Sequence, residues 1–378
     1  MSVQNKSIHL GDTGMVPGQT RIQREAIENN ALPEQVTGQF VDVDGERFYR
    51  ISEYHLMPDF FMTIISDSDH WMFIWSNGSL SAGRKDRDHA LFPYYTDDKI
   101  RDYRGITGPR SWFLAGRAKK TFLWEPFSSS SERIYRIRRN LYKSVYANSI
   151  IFEELNLDLK LGFRYRWSNS AKFGHVRHSQ ITNLGKEEVS IDMLDGLGNI
   201  LPSGADAVFQ NEFSNLLDAY KKSELVENTT LGLFLLSAIP VDRAEPSEAL
   251  RANTVWSSGP GSDCRILLSD RQIPRFEEGY PVETERDVRA SRGSYYLNSN
   301  FRLKPSGSES WMMVADLDQD SSQVSDLSRL LKVGAITKET IRQDQAKGTV
   351  NLRRIVASAD GLQMSNEEVP AKRHFSNT

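Results

Sequence analysis

A mainly all-β chain of large packed antiparallel sheets with a helical tail is the fold class this sequence predicts, on three observations. Asp44-Gly45 and Asn77-Gly78 each sit between two strand-like runs, and such pairs are the strongest short-range hairpin signals a sequence carries. Residues 157–167 place Leu157, Leu159, Leu161, Phe163, Tyr165 and Trp167 at alternate positions, with only charged residues or glycine between them. That strict period of two puts one face in a core and the other in water, which helical spacing cannot do. Sustained helical spacing waits until the end of the chain, where Val324, Leu327, Leu330 and Leu331 recur over 321–331.

Taken in order, residues 1–33 are polar and weakly patterned, an arm or an early helix over 21–30 that docks elsewhere. Strands are expected at 40–43 and 46–51 around the Asp-Gly turn, at 60–65, at 71–75 before the Asn-Gly turn, and at 121–124 and 134–142. The alternating 157–167 segment comes next. A long hairpin is then expected, 175–182 turning at Asn183-Leu184-Gly185 into 188–193. One helix is expected over 205–220 and a buried strand over 231–241, too short to span a membrane, which takes roughly 20 residues. Strands resume to about Arg302, with 311–315 the last. Helices follow at 321–331, 337–345 and 350–358, with Gly348 separating the last two and Gly361 as a stop. Ser365-Asn-Glu-Glu368 has the form of a capping box opening a further helix, and the chain ends at Thr378 before that helix could bury a face. The expected organisation is an arm over 1–37, a β-domain over 38–316 and a helical segment over 317–378, the front piece of a longer protein.

Composition narrows the function classes. The 378 residues allow about two or three domains, although one large all-β unit can absorb most of that length. An apolar fraction of 39% with 10% aromatics supplies a core. Lys plus Arg total 47 against 50 for Asp plus Glu, a net charge of −3, which argues against a nucleic-acid partner. The basic run Arg133, Arg136, Arg138, Arg139 and Lys143 is interleaved with apolar residues and reads as a strand with one charged face. The lone Cys264 excludes an intrachain disulfide and a cysteine-based metal site, and leaves the compartment open with a reducing cytoplasm favoured. The N-terminus has no apolar core of a secretory signal, so a soluble protein with no membrane partner is expected.

Candidate chemistry concentrates in residues 81–102, a mixed-charge, aromatic-bearing run that leaves the Asn-Gly hairpin. Arg84, Lys85, Asp86, Asp88, Tyr94, Tyr95, Asp97 and Asp98 are the candidate substrate-binding residues. Sugars are held this way, with carboxylates and arginines on the hydroxyls and aromatic faces over the ring. A solvated surface loop is the alternative. Asp86, Asp88, Asp97, Asp98 and Asp102 are crowded enough to contain a glycosidase-like pair. Arg84, Lys85, Arg87, Lys99 and Arg101 would hold them ionised, which suits hydroxyl recognition or an ion network better than general-acid work. His175 and His178, three apart on a strand, face opposite ways and make no joint metal site. Gly196-Leu-Gly198 and Gly259-Pro-Gly261 lack the strand-to-helix setting of a phosphate loop and read as turns. No nucleophile elbow, zinc-protease motif or Walker sequence is present, and Cys264 reads as a buried small hydrophobe. No catalytic residue, metal or cofactor is nominated.

Several of these runs together resemble a known family. Ser81-Ala-Gly-Arg-Lys85, Ala90-Leu-Phe-Pro-Tyr-Tyr-Thr-Asp-Asp-Lys99, Phe122-Leu-Trp-Glu-Pro-Phe127, Asn140-Leu-Tyr-Lys143, Ile181-Thr-Asn-Leu-Gly185 and Asp195-Gly-Leu-Gly-Asn-Ile-Leu-Pro202 resemble the N-terminal region of cellobiose-phosphorylase-like enzymes. Ser358-Ala-Asp-Gly-Leu-Gln363 resembles their linker. The resemblance implies a galactose-mutarotase-like β-supersandwich, a helical linker and an (α/α)6 barrel that would follow this chain. It implies cleavage of a β-glycosidic bond, by phosphate or water, with the general-acid Asp and the phosphate-binding residues in that barrel, so no catalytic residue carries over. It further implies that the sandwich braces the barrel, aids homodimerisation and lends a loop, here 84–98, to a neighbouring sugar site that takes an oligosaccharide. Two other functions stay open: an aldose epimerase with a His and a Glu facing each other across a groove, and a carbohydrate-binding module.

Overall fold

The computed structural model describes residues 22–23, 35–117, 120–238, 251–261 and 263–360. Among them the chain is mostly β, in two large sheets and one small one. The large sheet has eleven strands in the order Asp287–Arg289, Lys221–Leu225, Gly232–Leu236, Ala252–Ser258, Ser308–Gln319, Gly174–Asn183, Leu161–Ser170, Ser149–Asn156, Ile137–Ser144, Glu46–Ser52 and Thr37–Val43. The second has six: Ile22–Gln23, Lys120–Trp124, Gly108–Arg117, Val189–Ile200, Gly293–Leu303 and Cys264–Leu267. Phe61–Ile64, His70–Trp75, Leu80–Arg84 and Ala90–Phe92 form the small sheet. Pairing is antiparallel except where Ile22–Gln23 runs parallel to Thr121-Phe122.

Alternation explains why the two large sheets face each other. Leu161, Phe163, Tyr165 and Trp167 point inward from one sheet, and Phe113, Ala115, Ile191 and Met193 from the other, into one apolar cluster. The small sheet adds Met62, Ile64, Met72 and Ile74 to the same cluster, so the sandwich has a single principal core. On the far face of the large sheet, Val176, Trp256, Met312 and Val314 pack against Ile341 and, less deeply, Val324, Leu327 and Leu331 of the last two helices. The first of these, Ser321–Lys332, opens on a capping box in which Asp320 and Gln323 satisfy each other's backbone N–H groups. His175 lies on the core face and His178 under the helices, on opposite faces as the spacing requires. No helix among the described residues is long and apolar enough to cross a membrane.

The two turn signals are real. Asp44 and Gly45 both take positive φ, 51° and 81°, as a two-residue hairpin turn of this hand demands, and Asn77-Gly78 joins His70–Trp75 to Leu80–Arg84. Other expectations need correction. Ile22–Gln23 is a strand, not helix; the rest of 21–30 lies outside the described residues. The strand expected at 157 starts at Leu161: residues 157–160 form the turn from the preceding strand, with Lys160 at φ 49° and Leu157 41% exposed. The period-two pattern ran through a turn because both strands it joins carry the same inward face. The 134–142 strand is Ile137–Ser144, preceded by the short helix Ser129–Ile134, and its basic run is no charged face: Arg139 and Lys143 are buried. The 205–220 helix is two, Ala207–Glu212 and Ser214–Tyr220, broken at Phe213. The 231–241 strand is Gly232–Leu236, with 239–241 outside the described residues, as are Gly361 and the 365–368 capping box.

Gly348 does not separate two helices. Lys338–Asp360 is continuous. A mid-helix glycine costs only about 1 kcal/mol, and this one lets the helix approach the sandwich closely, since an added Cβ would stand 2.8 Å from Asp67 Oδ1. Polar latches hold the helix there: Gln345 Nε2 donates to Ser168 Oγ at 2.7 Å, Asn148 Nδ2 to Thr349 Oγ1 at 2.8 Å and Asn351 Nδ2 to Asp67 Oδ2 at 3.1 Å.

The expected 175–193 hairpin is instead an arch between sheets. Gly174–Asn183 pairs within the large sheet and Val189–Ile200 within the six-stranded one. Asn183, fully buried, makes the crossing possible. Its Nδ2 donates to the carbonyls of Glu187, Leu303 and Lys304, and its Oδ1 accepts from Gly185 N and Arg117 Nη2. Asn183→Ala leaves buried backbone groups without partners and should lower unfolding free energy by about 2 kcal/mol or more. Urea titration measures this, and a loss below about half a kcal/mol would refute the role given to Asn183.

Candidate functional site

The eight candidate binding residues are spread over a strand end, a turn and a helix start. Arg84 is a clasp between sheets: it donates to Asp316 Oδ1 at 2.8 Å and to Asp69 Oδ1 at 2.9 to 3.0 Å. Lys85 is exposed at φ 60° in the following turn. Asp86 closes that turn by accepting from His89 Nδ1 at 2.7 Å, and this hydrogen bond, more than any cation, lowers its pKa. Asp88 Oδ1 accepts from Ala207 N at 3.0 Å and tethers the next helix. Tyr94 is 40% exposed, edge-on to Trp71. Tyr95 packs on Tyr103 with its hydroxyl pushed up to about 12, chiefly by burial. Asp97 and Asp98 lie exposed in the first turn of Asp97–Asp102, where Asp98 accepts from Thr96 Oγ1 and Lys99 N. None of the eight lines the pocket described next.

That pocket, about 260 Å³, opens where four segments converge: the Asn77-Gly78 turn, the Arg104-Gly105 turn, the start of Gly108–Arg117, and the turn from Glu125 into the helix Ser129–Ile134. Two buried polar networks build it. In the first, Arg177 of the large sheet and Asp195 of the six-stranded sheet, both fully buried, form a two-pronged pair at 2.8 and 2.9 Å. Ser111 Oγ, Trp311 Nε1 and Ser179 Oγ also donate to Asp195. The Arg177 guanidinium lies 4.6 Å from the ring centroid of Tyr165, which forms part of the pocket wall. In the second, the fully buried Glu154 accepts from Trp124 Nε1 at 2.8 Å, Phe127 N at 2.7 Å and Arg139 Nε at 2.7 Å. Phe127 sits at φ 64°, a conformation that costs a non-glycine residue about 1–3 kcal/mol. The bond from its N–H to Glu154 holds it there, while Ser128 Oγ and Ser131 Oγ both donate to Glu125 O.

Glu125 and Arg110 carry the chemistry. Arg110 Nη2 stands 4.0 Å from Glu125 Oε1, and Nη1 stands 3.8 Å from Asp270 Oδ2, so neither contact is a hydrogen bond. The guanidinium lies 4.5 Å from the ring centroid of Trp112, and its buried Nε finds no partner among the described residues. Burial raises the Glu125 pKa; Arg110 opposes that rise and Glu277 adds to it. A carboxyl and a guanidinium held apart over open space, beside seryl hydroxyls and the Phe127 and Tyr165 rings, match a polyhydroxylated ligand.

Comparison with known proteins gives remote likenesses only. No protein-family model matches the chain, and no curated protein does. Among solved structures, a bacterial glucoamylase complexed with acarbose is similar at TM-score 0.43 and 8% identity, over 89% of this chain and 40% of that one. A protein named as a kojibiose phosphorylase, from the human microbiome, is similar at 0.33 and 10%, over 63% and 27%. One named as an aldose 1-epimerase, from Klebsiella pneumoniae, is similar at 0.30 and 8%, over 83% and 92%. The chain thus spans well under half of the first two.

An epimerase-like pair of His and Glu across a groove does not form around this pocket. His70 and His175 pack edge to face with ring centroids 4.9 Å apart, their Nδ1 atoms bonded to Ser68 and Asn169, and burial lowers both pKa values. No described cluster of three or more His, Cys, Asp or Glu could hold a metal ion. Sequence reasoning did not single out Arg104, Arg110 and Glu125, which line the pocket. Glu125 stood in the Trp-Glu-Pro-Phe run, followed by Ser128 to Ser131, and that serine cluster after a buried turn was the available signal.

Two outcomes follow from these networks. Asp195→Ala strands Arg177 in the core and should cost about 3–5 kcal/mol, much of which the double change Arg177→Met with Asp195→Leu restores. A single variant within about 1 kcal/mol of the parent in denaturant titration would refute the anchoring role. For Glu125, a pKa raised in the fold favours the protonated acid. Its contribution to stability is therefore present below the ordinary carboxylate pKa and lost as pH rises through the raised one. Glu125→Gln should raise the unfolding free energy at pH 7, by less than about 1 kcal/mol because solvent reaches part of the group, and leave it unchanged near pH 3.5. Equal effects at both pH values would contradict the assignment.

Proposed function

We propose that this chain is a sugar-recognising β-sandwich module of a carbohydrate-active protein, without catalytic activity of its own. The observation that carries the reading is that Glu125 and Arg110 stand side by side, 4.0 Å apart and not hydrogen-bonded to each other, in a pocket lined by hydroxyls and aromatic rings. A sugar hydroxyl on the open side of such a pair can donate to the carboxylate and accept from the guanidinium. Glu125 is the one carboxylate among the lining residues, and glycosidic cleavage ordinarily needs two. The sequence resemblance to cellobiose-phosphorylase-like enzymes supports the same reading, and extends it to a module that braces a downstream (α/α)6 barrel, aids dimerisation and contributes a rim loop. The last helix, with Val350 and Ile355 exposed, is the face on which such a barrel would rest.

Calorimetric or NMR titration with cello- and chito-oligosaccharides tests the binding. Binding should weaken at least tenfold in Glu125→Ala and Arg110→Ala, while Tyr94→Ala and Asp97→Ala test the 84–98 loop separately. Absence of heat and of chemical-shift change across both sugar series would overturn the reading, and so would turnover of a saccharide by this chain alone.

A further inference from the structure

The arginines of this sandwich divide into two kinds. Arg139 and Arg177 are buried, and each is hydrogen-bonded to its carboxylate at 2.7 to 2.9 Å. Arg110 is different. It is about four-fifths buried, held in place against Trp112, and its two carboxylate neighbours stop at 3.8 and 4.0 Å. A desolvated guanidinium left without a bonded counter-ion is costly, and an oxyanion arriving in the pocket removes that cost. Arg104, Arg110 and Glu125 are the charged residues lining the pocket, with Glu132 and Asp270 beside the arginines beyond hydrogen-bond distance, and burial raises the Glu125 pKa. Arg104 is fixed by donating to Phe127 O at 2.7 Å and stands 4.0 Å from Glu132, which leaves donors toward the cavity. Ser129 and Ser130 complete the lining with exposed hydroxyls.

Resting on the sugar-recognition reading above, we infer that the pocket takes an acidic sugar unit, its carboxylate clamped between Arg110 and Arg104 and its hydroxyls on Glu125 and the serines. The volume of about 260 Å³ falls below the roughly 300–1,000 Å³ of sites that enclose drug-sized ligands, so one terminal unit enters and the rest of a chain stays outside. A planar carboxylate meets a guanidinium through two parallel hydrogen bonds, and the two Nη atoms of Arg110 stand beyond hydrogen-bond distance of Glu125 and Asp270.

The test is isothermal titration of the full chain with trigalacturonate, its methyl-esterified neutral form, cellotriose and a sulfated glucose. Trigalacturonate should bind at least tenfold tighter than both neutral trisaccharides. That preference should vanish in Arg110→Gln and shrink in 0.5 M salt, with folding checked by circular dichroism. Should Arg110→Gln fail to fold, Arg104→Gln should cut the preference severalfold. Equal binding of acidic and neutral sugars overturns the inference and leaves sugar recognition standing; silence of all four overturns both. A preference for the sulfate over the carboxylate, or acidic binding indifferent to both arginine variants, also overturns it.

Discussion

Arg177 and Asp195 meet where neither can reach water, and the sandwich is organised around that meeting. Arg177 belongs to the large sheet and Asp195 to the six-stranded one, so the pair ties the layers together at the centre of their apolar interface. A buried ion pair is weak evidence for stability, because desolvation offsets most of the attraction. Its effect here is registration. Five donor bonds converge on one carboxylate, and the four from Arg177, Ser179 and Trp311 of the large sheet break if either sheet slides by a residue. Hydrophobic burial drives the two faces together without fixing where they stop, and the polar centre fixes it.

The pocket inherits its geometry from that centre. Tyr165 lies against Arg177 on one side and lines the cavity on the other, while Ser111, bonded to Asp195, is next in sequence to Arg110. The Glu154–Arg139 network does the same for the opposite wall, holding Phe127 in its strained backbone state. Binding residues held this way need little reordering when a ligand arrives, which is how a small polar pocket reaches useful affinity.

The β-architecture was legible because its signals are local. An Asp-Gly or Asn-Gly turn fixes its own backbone, and alternation at 161–167 follows from one face being buried. What escaped was long-range. Nothing in residues 175–193 distinguishes a hairpin from an arch, since both show alternation on either side of a turn; the difference lies in Asn183 reaching carbonyls some 120 residues away. Continuity through Gly348 likewise depends on Asp67, far off in sequence. The basic run at 133–143 looked solvated because its counter-charges, Glu132 and Glu154, sit outside one strand's pattern.

The same limit explains the 81–102 segment. Part of its charge serves the fold itself: Arg84 bonds Asp316 of the large sheet, Asp88 the helix at Ala207, and Asp86 closes its own turn on His89. Charge in a sequence marks where polar work is done, and only partners reveal which kind. A side chain whose bonds are complete within the fold has nothing left to offer a ligand, whereas one held rigid with bonds unmade is poised for it. By that criterion Arg84 is a fastener. Arg110, fixed by Trp112 and left short of both its carboxylates, is of the second kind, and beside it burial raises the Glu125 pKa although the guanidinium pulls the other way.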